Sequence, residues 1–309
     1  MRKIRWLSFG VLLVSIAYFI FYNWNVWRTK DNLGPVITMD ETQVYATVTD
    51  GEDVLLQGMT AVDAKDGDVT SSLVVESISD FVDGEIRYVN YAAFDSDNHV
   101  SKVSRKLIYV DYTSTQFSLD APLRFAVTSS GTKDILGYVH AKDCLDGDIS
   151  DRITFSASSK IDVYSPGEYA VELTVKNSAG DETVLPVTVT IYDAAEENAA
   201  PKIALSQYLV YTTVGKRLDP KSFLSNVTWR STEYTLTNGR GTFCIDTDGM
   251  TEEESLAYED SSPAVSYDLF TIIDSTDYQT PGVYEIEYML EDDSEHVGKV
   301  NLVVVVEEE

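Results

Sequence analysis

The chain has 309 residues, enough for two or three domains, and its 44% hydrophobic and 24% charged content is that of folded protein. Its 23 Lys and Arg face 51 Asp and Glu, a formal net charge of −28, and the first 30 residues hold five of the bases and none of the acids. Such an acidic chain repels phosphate backbones, which excludes nucleic-acid binding as a working function, and two cysteines build neither a disulfide scaffold nor a thiolate zinc site.

Residues 1–30 read as a cytoplasmic stub and a signal-anchor. Trp6 to Trp27 carry no charge, and a helix of that length spans a hydrocarbon core of roughly 30 Å. A cleaved signal peptide would be shorter and would end on small residues. Here the run passes instead into an aromatic, amide-rich stretch with Trp24 and Trp27 as interfacial anchors. Arg2, Lys3 and Arg5 before the span outnumber Arg28 and Lys30 after it. The positive-inside rule therefore predicts a cell-membrane protein with a cytoplasmic N-terminus and its C-terminal domains outside.

Beyond residue 30 the pattern has the period-two alternation of strands. Tyr169, Val171, Leu173 and Val175 share one face, as do Tyr284, Ile286, Tyr288 and Leu290. Further strands are predicted at Arg105–Val110, Val184–Tyr192 and Lys299–Val306, and a short helix at Thr251–Glu259. The chain also repeats itself. AVDAKDGDVTSSL at 61–73 matches AKDCLDGDISDRI at 141–153, offset by 80, and the strand ending in Asp95 matches the one ending in Asn177, offset by 82. A third copy returns at Pro281-Gly282 through Asp292 to the terminal VVVV run, without the D-x-x-D-G-D element and with a longer middle.

Units of this size, built from short strands, predict an all-β fold: tandem Ig-like β-sandwiches behind an N-terminal transmembrane helix. The domains are predicted at 31–112, 113–193 and 201–309, the last with an insertion. The join at Asp111–Ser114 is short, and 194–200 is a small, acidic linker. The string A-x-D-x-x-D-G-D-[VI]-[TS], followed by an alternating strand ending in Asp or Asn, resembles the bacterial Ig-like repeat first described in a pesticidal crystal protein and recurrent in Gram-positive surface proteins. The resemblance covers the first two units and the last 30 or so residues of the third; unit one departs from it at Asp97-Asn98 and at 83–87. It implies an Ig-like fold and a surface setting. It implies no single activity, since such repeats serve as spacers, adhesive modules and appendages of enzymes.

Three carboxylates within six residues, twice over, are the sharpest candidate site. Asp63, Asp66 and Asp68 with Asp95, and Asp143, Asp146 and Asp148, could offer hard oxygen ligands to calcium. The plainer alternative is that Asp-Gly marks a turn whose aspartates cap backbone amides. A second acidic cluster, Asp246-Thr247-Asp248-Gly249 with Glu252, Glu253 and Glu254, lies in the third unit. There, residues 226–280 are the place to look for a glycan, peptide or envelope-protein ligand. Trp229, Tyr234, Phe243, Tyr258 and Tyr267 form either an aromatic platform or the core of an enlarged sandwich.

No H-E-x-x-H, G-x-S-x-G or P-loop motif occurs, so no enzyme is predicted, and Cys144 and Cys244 are expected to stay unpaired. The expectation is a membrane-anchored extracellular array acting as a structural or adhesive surface protein that presents a distal domain. The alternative is a receptor that binds through the loops of domain 3.

Overall fold

The computed structural model describes residues 2–29, 33–82, 86–127, 133–193, 199–245, 249–259 and 261–308. It divides into two units, Met1–Tyr112 and Thr113–Glu309.

The first unit begins with helix α1 (Arg2–Thr29), whose apolar stretch Ser8–Val26 is long enough to cross a membrane and has no part buried. Domain 1 follows, with strands β1 (Val36–Met39), β2 (Gln43–Ala46), β3 (Met59–Asp63), β4 (Gly67–Asp68), β5 (Val74–Ile78), β6 (Ile86–Phe94) and β7 (Val100–Tyr109). They form two sheets, ordered β1-β3-β4 and β2-β7-β6-β5. Alternation decides which side chains meet between the sheets: Val89, Tyr91 and Ala93 of β6 and Leu107 of β7 are fully buried. The Tyr91 hydroxyl donates to the Leu55 carbonyl at 2.6 Å, which satisfies the one polar atom that this ring carries inward.

Domain 2 repeats the plan with β8 (Gln116–Leu119), β9 (Arg124–Ala126), β10 (Val139–Asp143), β11 (Gly147–Asp148), β12 (Thr154–Phe155), β13 (Gly167–Lys176) and β14 (Glu182–Tyr192). Its sheets are ordered β11-β10-β8 and β12-β13-β14-β9. Val171, Leu173 and Val175 point inward, as their spacing predicts.

Domain 3 holds β15 (Lys202–Leu205), β16 (Leu209–Thr213), β17 (Leu224–Trp229), β18 (Thr232–Thr237), β19 (Ala264–Ser266), β20 (Thr271–Asp274), β21 (Gly282–Glu291) and β22 (Val297–Glu307). Its sheets are ordered β15-β17-β18-β19 and β16-β22-β21-β20. Ile286, Tyr288, Leu290, Leu302 and Val304 fill its core. The predicted short helix is present at Glu252–Glu259.

The same two devices recur in all three domains. A strand near the start crosses to the second sheet and pairs in parallel with the last strand: β2 with β7, β9 with β14, β16 with β22. The last two strands form a long antiparallel hairpin, Ile86↔Ile108 to Phe94↔Val100, Gly167↔Ile191 to Lys176↔Glu182, and Gly282↔Val306 to Glu291↔Val297. This is tandem Ig-like sandwich architecture, all-β apart from α1 and short helical turns.

Within the second unit, domains 2 and 3 share an apolar cluster. Leu209 and Val303 of domain 3 are buried with the core of domain 2, and Tyr208, Tyr211, Val283 and Val305 pack against it. The Phe117 amide donates to the Tyr211 hydroxyl at 2.7 Å, and burial pushes that phenol's pKa up to about 12. Residues 194–198 of the predicted linker lie outside the described residues.

Candidate functional site

The D-x-x-D-G-D element is a tight hairpin between β3 and β4, and again between β10 and β11. Val62 pairs with Asp68 and Asp63 with Gly67; Lys142 pairs with Asp148 and Asp143 with Gly147. Gly67 and Gly147 sit at φ +78° and +74°, which a side chain resists although no atom would clash with a Cβ there.

Each aspartate has a defined place. Asp63 Oδ1 accepts from the amides of Lys65 and Asp66, both at 2.8 Å, and Asp143 Oδ1 accepts from those of Leu145 and Asp146 at 2.8 and 3.0 Å. Asp66 receives the amide and hydroxyl of Ser96; Asp146 receives those of Ser178 and the Arg152 guanidinium. Asp68 and Asp148 accept from the amides of Thr70 and Ser150. Hydrogen bonds from Ser96 hold Asp66 below the usual carboxylate range, and those from Ser178, joined by Arg152, do the same for Asp146. Thr70 and Ser150 lower Asp68 and Asp148 likewise.

Asp95 and Asn177 close the same end of their sandwiches. Each sits at the tip of the long hairpin and accepts two backbone amides on Oδ1, from residues 97 and 99 and from residues 179 and 181. Burial pushes Asp95 up, but the His99 amide, the His99 ring at 2.7 Å and the Asp97 amide more than offset it, so its pKa lies below the usual range.

Domain 3 carries a third version that its sequence hides. Ile203 pairs with Val227 as Ile37 pairs with Ala61, so Trp229 stands where Asp63 and Asp143 stand. Asp292 caps the third hairpin through the amides of Ser294 and His296, and the Trp229 indole donates to its Oδ2 at 3.1 Å. The spot between turn and hairpin is thus filled three ways. In domain 2 the Asn177 amide donates to Asp143 Oδ2 at 3.1 Å, helped by the Thr115 hydroxyl at 2.7 Å. In domain 3 the indole donates to Asp292. In domain 1 both positions are carboxylates, Asp63 and Asp95, and the strand register puts Pro35 where Thr115 stands. Asp63 Oδ2 is buried without a hydrogen-bond partner, in a residue only 3% exposed. Among the described residues no group of three or more His, Cys, Asp or Glu side chains is placed to hold a metal ion.

Two clefts lie elsewhere. One, of about 470 Å³, opens in domain 3 between the Asn238–Gly241 turn, Phe243–Ile245 and Ser266–Leu269, with Arg240 on its wall. The other, of about 510 Å³ and not anticipated from the sequence, lies between domains 2 and 3, lined by Ser158, Ser159, Glu172, Ser275 and Tyr284 among others. The aromatic residues singled out in 226–280 serve mainly as core. Phe243 is buried, with Trp229 and Tyr234 edge-on at 5.1 and 5.4 Å, and Tyr267 packs on the same cluster. Arg230 lies 3.9 Å over the Trp229 ring. The Asp246-Thr247-Asp248 cluster lies outside the described residues. Cys144 and Cys244 are both free thiols.

No protein-family model matches the sequence, and neither does any curated protein. Among solved structures, the chain is similar to the second CBM51 and INT domains of Clostridium perfringens ZmpB in complex with GlcNAc (19% identity, 49% of this chain, TM-score 0.20). It spans only 26% of the length of that protein. It is also similar to a lipoprotein of Bacteroides thetaiotaomicron (14% identity, 61% of this chain and 98% of that one, TM-score 0.20). A third likeness is to domains 6–7 of the surface layer protein SbsC (11% identity, 52% of this chain and 99% of that one, TM-score 0.20). Similarity at this level transfers no ligand or activity to this chain.

Proposed function

We propose that the protein is a membrane-tethered, non-catalytic surface array of the bacterial Ig-like repeat type, which holds three sandwiches outside the cell and presents domain 3 for interaction. The observation that carries this reading is α1. Its apolar stretch Ser8–Val26 has no part buried, and a uniformly apolar helix with no protein core to enter is covered by lipid at least cost. The basic residues before it orient the N-terminus inward. The shared apolar cluster makes domains 2 and 3 one stiff element, which suits a presenting role.

The test is fractionation of cells that express the full chain. Retention in carbonate-washed membranes, with the C-terminal domains shaved by protease added outside, is the expected result. Recovery of a soluble form whose N-terminus begins after residue 27 would overturn the anchor.

A second reading, a receptor that binds a glycan, peptide or envelope protein through domain 3, is favoured by the 470 Å³ cleft, where Arg240 offers a guanidinium in an acidic molecule. Residues 226–280 supply buried Val227, Phe243 and Val265, so deleting them would unfold the domain rather than remove a loop. The informative variant is Arg240→Glu, which should abolish capture of a glycan or peptide from an array while leaving the domain folded.

A further inference from the structure

The first strand of each long hairpin has a short partner on its outer side, and that partner stops at a different place in each domain. In domain 1 the edge is covered to its start. Beyond β5 the Tyr88 carbonyl accepts the Ser79 amide at 2.8 Å, the Ile86 carbonyl accepts the Val82 amide at 2.9 Å, and the Tyr88 amide donates to the Ser79 hydroxyl. In domain 3 the Ser275 amide donates to the Glu285 carbonyl at 3.4 Å, and Glu285 holds the place of Tyr88 in the third hairpin. Domain 2 stops sooner. There β12 pairs only with Leu173 and Thr174; the Ser156 amide then donates to the Glu172 carbonyl at 2.8 Å, and the Glu172 amide to the Ser159 hydroxyl at 2.9 Å. Backbone groups of alternate residues in a strand point to the same side, so Glu168 and Ala170 present their N–H and C=O groups along that same edge. Among the described residues none bonds to them there, and both are exposed.

This open edge runs into the 510 Å³ cleft between domains 2 and 3, lined by Ala170 and Glu172 of domain 2 and by Tyr284 and Glu285 of domain 3. The outward face of β13 there reads Glu168, Ala170, Glu172, a small residue between two carboxylates. A strand laid along the edge shares the two faces of the sheet. Its residue opposite Ala170 therefore points to the cleft side, with Glu168 and Glu172 as its diagonal neighbours. Among the described residues the Glu172 carboxylate has one partner, the Ser158 hydroxyl at 3.4 Å, and the Glu285 carboxylate has one, the Asn301 amide at 2.9 Å. None of the residues that line the cleft is basic. We propose that this edge and cleft bind an extended peptide segment of a partner protein by strand addition, with a lysine or arginine side chain opposite Ala170. Backbone pairing supplies the affinity and the cleft supplies the selection. What the edge lacks is a ladder of N–H and C=O partners, which an extended segment of about five residues provides and a helix does not. The side chain is cationic because unneutralised carboxylates flank its seat in a chain of net charge −28. The site is separate from the domain 3 cleft beside Arg240, and it does not depend on the membrane anchor.

Hydrogen exchange on the full chain in detergent micelles tests this, with short blocked peptides that alternate Thr and Val about a central Lys or Arg. Exchange at the amides of Glu168 and Ala170 is expected to slow and to saturate with peptide. The Tyr88 amide of domain 1, already bonded to Ser79, does not change. A central Glu, or N-methylation of the peptide amides, abolishes the effect. Glu172→Gln together with Glu285→Gln keeps the size and an acceptor oxygen at each position, so the fold stands, and binding weakens about tenfold, the scale of one charge-assisted hydrogen bond. No protection by the Lys and Arg peptides, equal protection by the Glu peptide, or binding indifferent to the paired glutamine substitutions overturns the proposal. So does protection by a neutral oligosaccharide such as cellohexaose that the peptides do not give, because the cleft would then be a sugar site.

Discussion

Domains 1 and 2 share a plan down to individual hydrogen bonds, yet they differ at one buried pair. Both use a D-x-x-D-G-D hairpin with a left-handed glycine, and both let a serine at the hairpin tip reach back to the middle aspartate, Ser96 to Asp66 and Ser178 to Asp146. Domain 2 then neutralises its innermost contact with an amide, whereas domain 1 leaves two carboxylates. The exposed part of the motif is thus turn construction, joined in domain 2 by the Arg152–Asp146 ion pair, and the buried part differs in which groups meet. Domain 3 sharpens the point: it discards the motif and keeps the donor–acceptor pair.

Several substitutions probe this comparison, and the largest effect is expected in domain 3. Trp229→Ala removes an aromatic that packs on Phe243 and a side-chain donor to Asp292, and should cost about 3–5 kcal/mol. Denaturant unfolding that loses the domain 3 transition first would agree with it; an unchanged midpoint would mean that the indole is not a structural substitute for the aspartate.

Asn177→Asp imposes on domain 2 the acid pair of domain 1. At neutral pH it should destabilise by about 1–3 kcal/mol, because Asp143 Oδ2 loses its amide donor and gains a like charge. The same change paired with Asp143→Asn should recover most of the loss in a double-mutant cycle. Gly147→Ala and Gly67→Ala each force a side chain into the left-handed region and should cost about 1–2 kcal/mol, equally in the two domains. Unequal costs would show that the two hairpins are not equivalent.

Tyr211→Phe removes the acceptor for the Phe117 amide between domains 2 and 3 and should weaken their coupling by about 1 kcal/mol. The signature is separation of two unfolding transitions that otherwise overlap. Acid acts more diffusely. Asp66, Asp68, Asp146 and Asp148 are all held below their ordinary range when folded. Their stabilisation is therefore complete above the unfolded carboxylate value of about 3.9, and is lost as the pH falls through the lower folded values. An unfolding midpoint that is flat from pH 7 to 5 and drops below about 4 is the expected profile for domains 1 and 2.

Much of the fold was legible in the sequence. The alternation at 168–175 and 284–290 marked the strands that fill two cores, and the offset of 80 exposed the repeat because the turn residues are local and must recur in order. The site was legible only in outline. Asp63, Asp95, Asp143 and Asn177 stood out as acidic or amide residues at turns, but nothing local said which of their oxygens had donors. Trp229 was marked as aromatic and not as the counterpart of Asp63, because that equivalence exists in strand register and leaves no shared residue type. Val303 lay in a predicted strand and Leu209 was not singled out, although both are buried with domain 2.

The apolar helix, the strand periods and the tandem order of like domains are written locally in the chain, since each depends on neighbours a few residues apart. Tertiary structure decided the rest. Thr115 meets Asp143, Asn177 meets Asp143, and Trp229 meets Asp292 across 28, 34 and 63 residues of chain. Whether a buried aspartate is satisfied or bare depends on those distant partners, and they come together only when the sandwich closes.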